Sequence, residues 1–188
     1  ISALAAGNRV IIKPSEMTPH VSNLISEMIN ELFEPNRVAI FQGDQKVAQS
    51  LLKYPFHHIF FVGSPSVGKI VMAEAAKHLS SITLELGGKT PTIIDKTANI
   101  KMAINKLAWG KCLNLGQSCI SPDYILIHES KKNEFLEGFS KKINDVYGDS
   151  YEEKKNSDHL ARIVNQRHWD RLDSLITSSI DKGANIVH

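Results

Sequence analysis

Short apolar runs alternate with stretches of helical periodicity in the first half of the chain. The runs lie at residues 10 to 13, 38 to 41, 58 to 63 and 81 to 88. Because they are apolar throughout rather than at every second position, we predict parallel strands that helices cover on both faces. The regular alternation of strands with helices predicts an α/β fold.

The spacing of apolar residues predicts the helices between these strands. A helix at about 18 to 33 begins with Thr18 as N-cap and Pro19 at its first position. We predict that one face of this helix is buried, and this face consists of Val21, Leu24, Ile25, Met28, Leu32 and Phe33. Asp44 begins the next helix, with Val47, Ala48, Leu51 and Leu52 inward. A third helix is predicted at about 66 to 79.

A second series of elements follows Gly88, where we place a domain boundary between residues 1–88 and 89–188. Strands are predicted at 92 to 95 and 124 to 127, and a helix at about 98 to 111. Two further helices, at about 131 to 147 and 166 to 181, have apolar faces that we predict to be buried: Phe135, Leu136, Phe139 and Ile143 on the first, and Trp169, Leu172, Leu175, Ile176 and Ile180 on the second. An exposed loop is predicted near 154 to 158.

Both ends of the chain resemble interrupted elements. Residues 1 to 7 have the pattern of the tail of a helix, and the first residue is Ile1 rather than Met. After a glycine helix stop, the residues from 184 onward resemble a new strand. From the sequence we therefore expect an excerpt of a longer protein.

The charge balance and the two cysteines narrow the range of functions. The chain has 22 Lys and Arg against 20 Asp and Glu, so it lacks a field of one sign that attracts nucleic acid or anionic lipid. No apolar run approaches the roughly 20 residues that cross a bilayer, and no signal peptide is recognisable. Cys112 and Cys119 form neither a CxxC pair nor a Cys/His cluster, which favours a reducing cytoplasm and no metal site.

Three stretches are candidates for chemistry, and each has a structural alternative. GSPSVGK at 63 to 69 offers free N–H groups at a helix start for a phosphate, but glycines there also permit a tight turn. Glu85, near the end of a predicted buried strand, is either catalytic or a rim carboxylate paired with Lys89. Cys119 in the GQSC turn is either an activated thiol or a small packed residue, which is our interpretation of Cys112.

In combination the motifs are far more specific. GNRVIIKPSE, FVGSPSVGK, LELGGKTP and GQSC, in this order and spacing, resemble the aldehyde dehydrogenase superfamily. The stretches AAKHLSSITLELGGK, AWGKCLNLGQSCISPDYIL and NQRHWDRL look most like its class 3 branch. The resemblance covers essentially the whole chain. It implies part of a Rossmann-like NAD(P)-binding domain with a parallel sheet at 1–88, followed by part of an α/β catalytic domain at 89–188.

The resemblance also implies roles for individual residues. Cys119 matches the catalytic nucleophile, and Glu85 matches the general base that activates water. The residues that match contacts of the cofactor, NAD or NADP, are Lys13 and Glu16 at the adenosine ribose, Gly63, Ser64 and Gly68 beside the pyrophosphate, Val67 at the adenine and the Leu86 carbonyl near the nicotinamide amide. Pro65 departs from the family, since many members have Thr there.

The implied activity is NAD(P)-dependent oxidation of an aldehyde to a carboxylic acid, in a homodimer, and the class 3 likeness suggests medium-chain or aromatic aldehydes. The family's oxyanion-stabilising Asn and the Glu and Phe that hold the nicotinamide find no match here, so we expect the 188 residues alone to be incomplete for activity. Two alternatives remain: acyl transfer to coenzyme A, which Glu85 disfavours, and a non-catalytic nucleotide-binding relative, which Cys119 and Glu85 together disfavour.

Overall fold

Two units make up the α/β fold of this chain. The computed structural model describes residues 1–187, and its first unit is Ile1–Leu86 while the second begins at Gly87. Every strand pair in the described residues is parallel, as the apolar runs predict. No helix in this part of the chain combines the length and the apolar character that crossing a membrane requires.

The first unit contains two parallel strand pairs and four helices. In chain order its elements are α1 (Ser2–Ala5), β1 (Val10–Ile12), α2 (Pro19–Leu32), β2 (Val38–Ile40), α3 (Gln45–Leu51), β3 (His58–Gly63), α4 (Pro65–Ala76) and β4 (Ser81–Leu86). β1 pairs with β2, so that Val10 lies opposite Val38. β3 pairs with β4, so that Gly63 lies opposite Leu86.

α4 packs closely against the β3 and β4 pair. Val71 and Ala75 on α4 are buried. Gly68 is buried as well, and a Cβ atom at this position would lie 2.9 Å from Leu86 Cδ2. A larger residue here would have to displace the Leu86 side chain, so Gly68 lets the first turn of α4 pack close against the end of β4.

The prediction that both faces of the strands are covered is wrong for β3. Phe60 and Val62 are 64% and 63% exposed, while their neighbours Ile59 and Phe61 are half-buried. The reason is that α4 covers only one face of this pair in the described residues. A continuous apolar run shows that both faces favour burial, but it does not supply the element that buries the second face.

The prediction of a buried face on α2 is also wrong. Its six apolar residues are 36 to 65% exposed, and the helix instead contacts β2 through a narrow side on which Ser22 is buried. The Ser22 hydroxyl donates to the Ser15 carbonyl at 2.7 Å, which accounts for a buried polar group at this position. Thr18 is the N-cap residue as predicted, although its side chain makes no capping hydrogen bond.

The second unit is built on one strand pair with three long helices. Its elements are β5 (Thr90–Ile94), α5 (Ile100–Cys112), a 3-10 segment (Leu113–Gly116), β6 (Pro122–Ile127), α6 (Glu129–Tyr147), α7 (Tyr151–Asn156) and α8 (Gln166–Asp181). The core of this unit joins β5, α5 and α6 through the buried side chains of Ile94, Ile100, Ile104, Leu107 and Phe135. Phe135 stacks on Phe139 with ring centroids 5.4 Å apart, so the predicted inward face of α6 is confirmed.

Three predictions for the second unit are wrong. The loop expected near 154 to 158 begins inside α7, because Ser150 and Glu153 form a capping box that starts a helix. The apolar residues of α8 other than Leu172 are exposed, since no element of the described residues covers them. Residues 184 to 187, expected to begin a strand, have no regular structure because no neighbouring strand offers a partner within the described residues.

Candidate active site

Cys119 lies on a tight turn between the 3-10 segment and β6. The chain reverses direction there through three residues of positive φ, namely Asn114 at 51°, Leu115 at 54° and Gly116 at 72°. For Asn114 and Leu115, which carry a side chain, this conformation costs about 1–3 kcal/mol each. The turn is closed by two hydrogen bonds: the Gln117 N–H donates to the Asn114 carbonyl, and the Asn114 side-chain amide donates to the Gln117 carbonyl, both at 3.1 Å.

The side chain of Cys119 is accessible, while another part of the backbone passes close to its main chain. Cys119 is exposed. A Cβ atom on Gly88 would lie 3.3 Å from the Cys119 carbonyl oxygen, so the glycine corner before β5 passes close to the turn. The Cys119 N–H has no protein acceptor within residues 1–187. A thiol and an unpaired N–H on one residue are the two groups that attack at a carbonyl carbon requires.

Cys112, at the end of α5, has a different environment. Its thiol is half-buried and lies near the Tyr147 hydroxyl of α6. Burial raises the pKa of the Cys112 thiol, and the nearby Tyr147 hydroxyl opposes this shift. Cys112 is therefore held in its neutral form between two helices, as expected for a packed cysteine.

Glu85 is the penultimate residue of β4, and the prediction that it is buried is wrong. It is exposed, and its register partner on β3 is the exposed Val62. The reason is the same uncovered face that leaves Val62 open. Lys89, the alternative partner from the sequence, pairs with Asp123 instead, with an Nζ to Oδ2 distance of 3.2 Å.

The turn between β3 and α4 carries the residues that the sequence predicts beside a phosphate. Ser64 is the N-cap of α4, and its hydroxyl accepts from the Val67 N–H at 3.3 Å. The Ser66 hydroxyl lies 2.9 Å from the Ser64 hydroxyl. Pro65 at the first helical position removes one donor, as the sequence indicates. Val67, predicted at the adenine, is 43% exposed on the first turn.

Lys13 and Glu16 lie at the carboxyl end of the β1 and β2 pair. Lys13 Nζ donates to Glu16 Oε2 at 3.1 Å, to the Pro14 carbonyl at 2.8 Å and to the Gly43 carbonyl at 2.9 Å. The pKa of Glu16 is lowered, first by a hydrogen bond from its own backbone N–H and then by Lys13. An ionised carboxylate that retains open acceptor positions suits recognition of sugar hydroxyls.

The structure thus brings the predicted residues together in groups. Gly63, Ser64, Gly68, Glu85 and Leu86 share the carboxyl end of the β3 and β4 pair. Lys13 and Glu16 form a second group in the same unit, and Cys119 belongs to the second unit.

Two contributors were missed by sequence reasoning. The Gly43 carbonyl accepts from Lys13, and Gly43 lies just after the predicted apolar run at 38 to 41. The sequence signal for this contact is that the carboxyl ends of parallel strands converge at one edge of the sheet. The Gln117 side chain bridges to residues far along the chain, which no local pattern indicates. Within residues 1–187, no three His, Cys, Asp or Glu side chains converge as metal ligands.

The strand pairs of both units are parallel, a serine-capped helix begins directly after β3, and an exposed cysteine lies on a turn of the second unit. The model of the aldehyde dehydrogenase family matches residues 1–188, and the chain belongs to this family.

Individual relatives support this assignment. The chain is 46% identical over 179 residues to the 4,4'-diaponeurosporen-aldehyde dehydrogenase of Staphylococcus aureus, and the match covers 95% of this chain and 38% of that protein. It is 44% identical over 178 residues to the dimeric NADP-preferring aldehyde dehydrogenase of Mus musculus, covering 95% of the chain and 39% of the relative. The substrate-bound structure of Staphylococcus aureus AldH superposes with a TM-score of 0.88 at 46% identity, over 95% of this chain and 38% of that one. The chain thus spans less than two fifths of the length of these relatives.

Proposed function

We propose that the protein carrying this sequence oxidises an aldehyde to a carboxylic acid with NAD or NADP, and that Cys119 is the nucleophile. The observation that carries the proposal is the Cys119 turn, which exposes a thiol and an unpaired N–H on the same residue. Membership of the family supplies the reaction class. For the identity of the aldehyde, the likeness to class 3 favours medium-chain or aromatic substrates.

The Cys119 side chain performs the first step. Its thiolate attacks the carbonyl carbon, the C=O π electrons move to oxygen, and a tetrahedral thiohemiacetal forms. The Cys119 N–H, which lacks a protein acceptor within residues 1–187, donates to the developing oxyanion. When bound, the nicotinamide cofactor supplies the hydride acceptor. Cys119 then holds the acyl group as a thioester.

Glu85 acts in release of the acid. A carboxylate takes a proton from water, the hydroxide attacks the thioester carbonyl, and the Cys119 sulfur leaves as a thiolate. Glu85 lies one residue from the position that pairs with Gly63 at the anion turn. Because it is exposed in this chain, its proposed role rests on the family match and not on burial.

The residues at the strand ends fit a dinucleotide. The start of α4 presents the Ser64 and Ser66 hydroxyls and the Ser66 N–H at the positive end of a 12-residue helix, which suits a pyrophosphate. Gly68 allows this turn to lie against Leu86. Glu16, kept ionised, accepts from ribose hydroxyls, and Lys13 fixes its orientation. Val67 and the Leu86 carbonyl are proposed contacts of the adenine and the nicotinamide amide.

Glu16 favours NAD over NADP, because a carboxylate repels a 2′-phosphate. The preference is mild, since Lys13 neutralises part of that charge at 3.1 Å and the mouse relative is named NADP-preferring. Titration of both cofactors into the protein tests this point. Tighter binding of NADP than of NAD would contradict the role given to Glu16.

The organisation of the protein follows the same reasoning. Residues 1–88 are proposed as part of the NAD(P)-binding domain and residues 89–188 as part of the catalytic domain. A homodimer is proposed because the mouse relative is named dimeric. A cytoplasmic location remains a prediction from the sequence.

Product analysis with a Glu85 variant tests the proposed function. We expect aldehyde-dependent NAD(P)H formation and a free carboxylic acid, while an acyl-CoA product would favour the transferase alternative and no turnover the non-catalytic one. In Glu85→Gln the first turnover of NAD(P)H should persist as a burst, while steady turnover falls by about 10²- to 10⁴-fold. Glu27→Gln, at an exposed carboxylate of α2, is the matched control. Loss of burst and turnover together would contradict the separate role of Glu85.

A further inference from the structure

The Gln117 side chain ties the Cys119 turn to a distant part of the chain. Its Nε2 donates to the Asn114 carbonyl at 3.0 Å and to the Arg162 carbonyl at 3.0 Å. Its Oε1 accepts from the Val164 N–H at 3.0 Å. The side-chain amide therefore uses both of its donors and its acceptor, two of them on a segment 45 and 47 residues away in sequence.

The segment that receives Gln117 is itself held in place. Arg162 donates from its guanidinium to the carbonyls of Lys155, Leu160 and Ala161, which spans the connection between α7 and α8. The segment then enters α8, where the Asn165 side chain accepts from the His168 N–H at 3.0 Å. Arg162 thus fixes the backbone whose carbonyl and N–H face Gln117.

The turn needs such a tie because its backbone is strained. Asn114, Leu115 and Gly116 all have positive φ, and local hydrogen bonds connect only Asn114 with Gln117. Without a contact from outside, Leu115 would gain by returning to a negative φ, and the backbone that carries Cys119 would turn with it.

We propose that Gln117 is a positioning residue that holds Cys119 in its reactive orientation by linking the turn to the Arg162 to Val164 segment. The inference rests on the proposed function of Cys119. Gln117 itself touches neither substrate nor cofactor in this proposal. It acts by fixing the turn backbone that carries both the Cys119 thiol and the Cys119 N–H, because nucleophilic attack and oxyanion stabilisation both depend on their positions.

The test compares Gln117→Met, which keeps the length of the side chain but removes its hydrogen bonds, with Gln166→Met as matched control. Gln166 is also a glutamine of the second unit, and its amide bonds only to Asp170 at 2.8 Å. Mass spectrometry follows iodoacetamide labelling of Cys119 and Cys112 separately in each protein, alongside kcat and the KM values for the aldehyde and the cofactor. Because a misplacement of about 1 Å costs up to 10²-fold, we expect Gln117→Met to lower kcat and Cys119 labelling by about 10- to 10²-fold. KM for the cofactor and Cys112 labelling should stay at their unsubstituted values.

A second variant approaches the tie from the other side. Arg162→Ala leaves the sequence of the turn unchanged and should also lower Cys119 labelling. The double variant should label Cys119 no more slowly than Gln117→Met alone, because both substitutions break the same link between the turn and the Arg162 to Val164 segment. If Gln117→Met does not fold, Arg162→Ala carries the test with the same two outcomes.

The outcomes separate this inference from the proposed function. If Cys119 reacts no faster than Cys112 in the unsubstituted protein, the proposed nucleophile is wrong and the inference fails with it. If Cys119 reacts fast there and equally fast in a folded Gln117→Met protein, only the positioning role is wrong. Faster labelling of Cys112 in the variant would mean general loosening of the unit, which also overturns the inference.

Discussion

The two cysteines of the second unit lie on either side of one turn, in opposite environments. Cys112 is the last residue of α5, and it is half-buried near Tyr147 of α6. Cys119 lies beyond the strained segment, exposed and with its N–H unpaired within residues 1–187. Short separation along the chain therefore says little about reactivity. The backbone reversal at Asn114 to Gly116 is what separates a packed thiol from an accessible one.

The difference is physical and does not depend on the family. Burial penalises the charged form of a thiol, and the thiolate is the nucleophile. The raised pKa of Cys112 therefore removes it from chemistry near neutral pH. Conversely, the positive φ values before Cys119 cost conformational energy, and such strain is typical of sites where conformation serves function.

Activity should separate the two residues most strongly. Cys119→Ala should abolish aldehyde-dependent NAD(P)H formation, because the covalent intermediate cannot form. Cys112→Ala should leave turnover nearly unchanged, since the Cys112 thiol contacts α6 and no reacting group. The measurement is NAD(P)H absorbance in the protein that carries this sequence. Equal losses from both substitutions would break the comparison.

Alkylation should show the next largest contrast. At a pH below the pKa of a thiol, each unit by which that pKa is raised lowers the thiolate fraction about tenfold, so the raised pKa of Cys112 slows its reaction with iodoacetamide. Half-burial slows it further. We expect Cys119 to be labelled about 10- to 10²-fold faster than Cys112, as measured by mass spectrometry of each peptide. Addition of 4 M urea as an unfolding control should bring the two rates together.

For stability, we expect the larger effect from substitution of Cys112 and the smaller effect from substitution of Cys119. Cys112→Ala removes a half-buried sulfur next to Tyr147 and should lower the free energy of unfolding by about 1 kcal/mol. Cys119→Ala, at an exposed position, should change it by less than about 0.5 kcal/mol. Urea unfolding monitored by circular dichroism measures both values. A larger loss from Cys119→Ala would show that the turn contributes to packing.

Much of the fold follows from local pattern. The strands, the helix starts at Asp44 and Pro65 and the inward face of α6 follow from apolar spacing and capping residues, because each depends on nearby sequence. Local pattern did not predict that the apolar faces of α2 and α8 are exposed. Periodicity identifies an apolar face, but the element that covers it is a property of the tertiary structure, and the described residues supply none.

The candidate site shows the same division. Motif order sufficed to nominate Cys119, Glu85 and the turn at Ser64, and the fold places the residues around Ser64 and Leu86 at one sheet end. The burial of Glu85 was inferred from a strand pattern and is wrong, because β3 and β4 are covered on one face only. The bonds from Gln117 to Arg162 and Val164 join residues with no local relation, so only the folded structure reveals them.

The smallest expected difference concerns the pH dependence of stability. The pKa of Cys112 is raised above 9.0, chiefly by burial, so in the folded state the thiol stays neutral where the unfolded chain already ionises. The stabilising contribution of the neutral thiol is complete below about pH 9 and is lost as the pH rises through the folded pKa, because the unfolded state then holds fewer protons. The pKa of Tyr147 is raised above 10.0 in the same direction, again chiefly by burial, so the decline continues at higher pH.

Urea unfolding at several alkaline pH values should therefore show a shallower initial decline for Cys112→Ala than for the unsubstituted protein. Thr177→Ala, which removes no titratable group from the exposed surface of α8, should keep the original slope. Identical slopes for all three proteins would mean that Cys112 ionises alike in both states, and the contrast between the two cysteines would then rest on exposure alone.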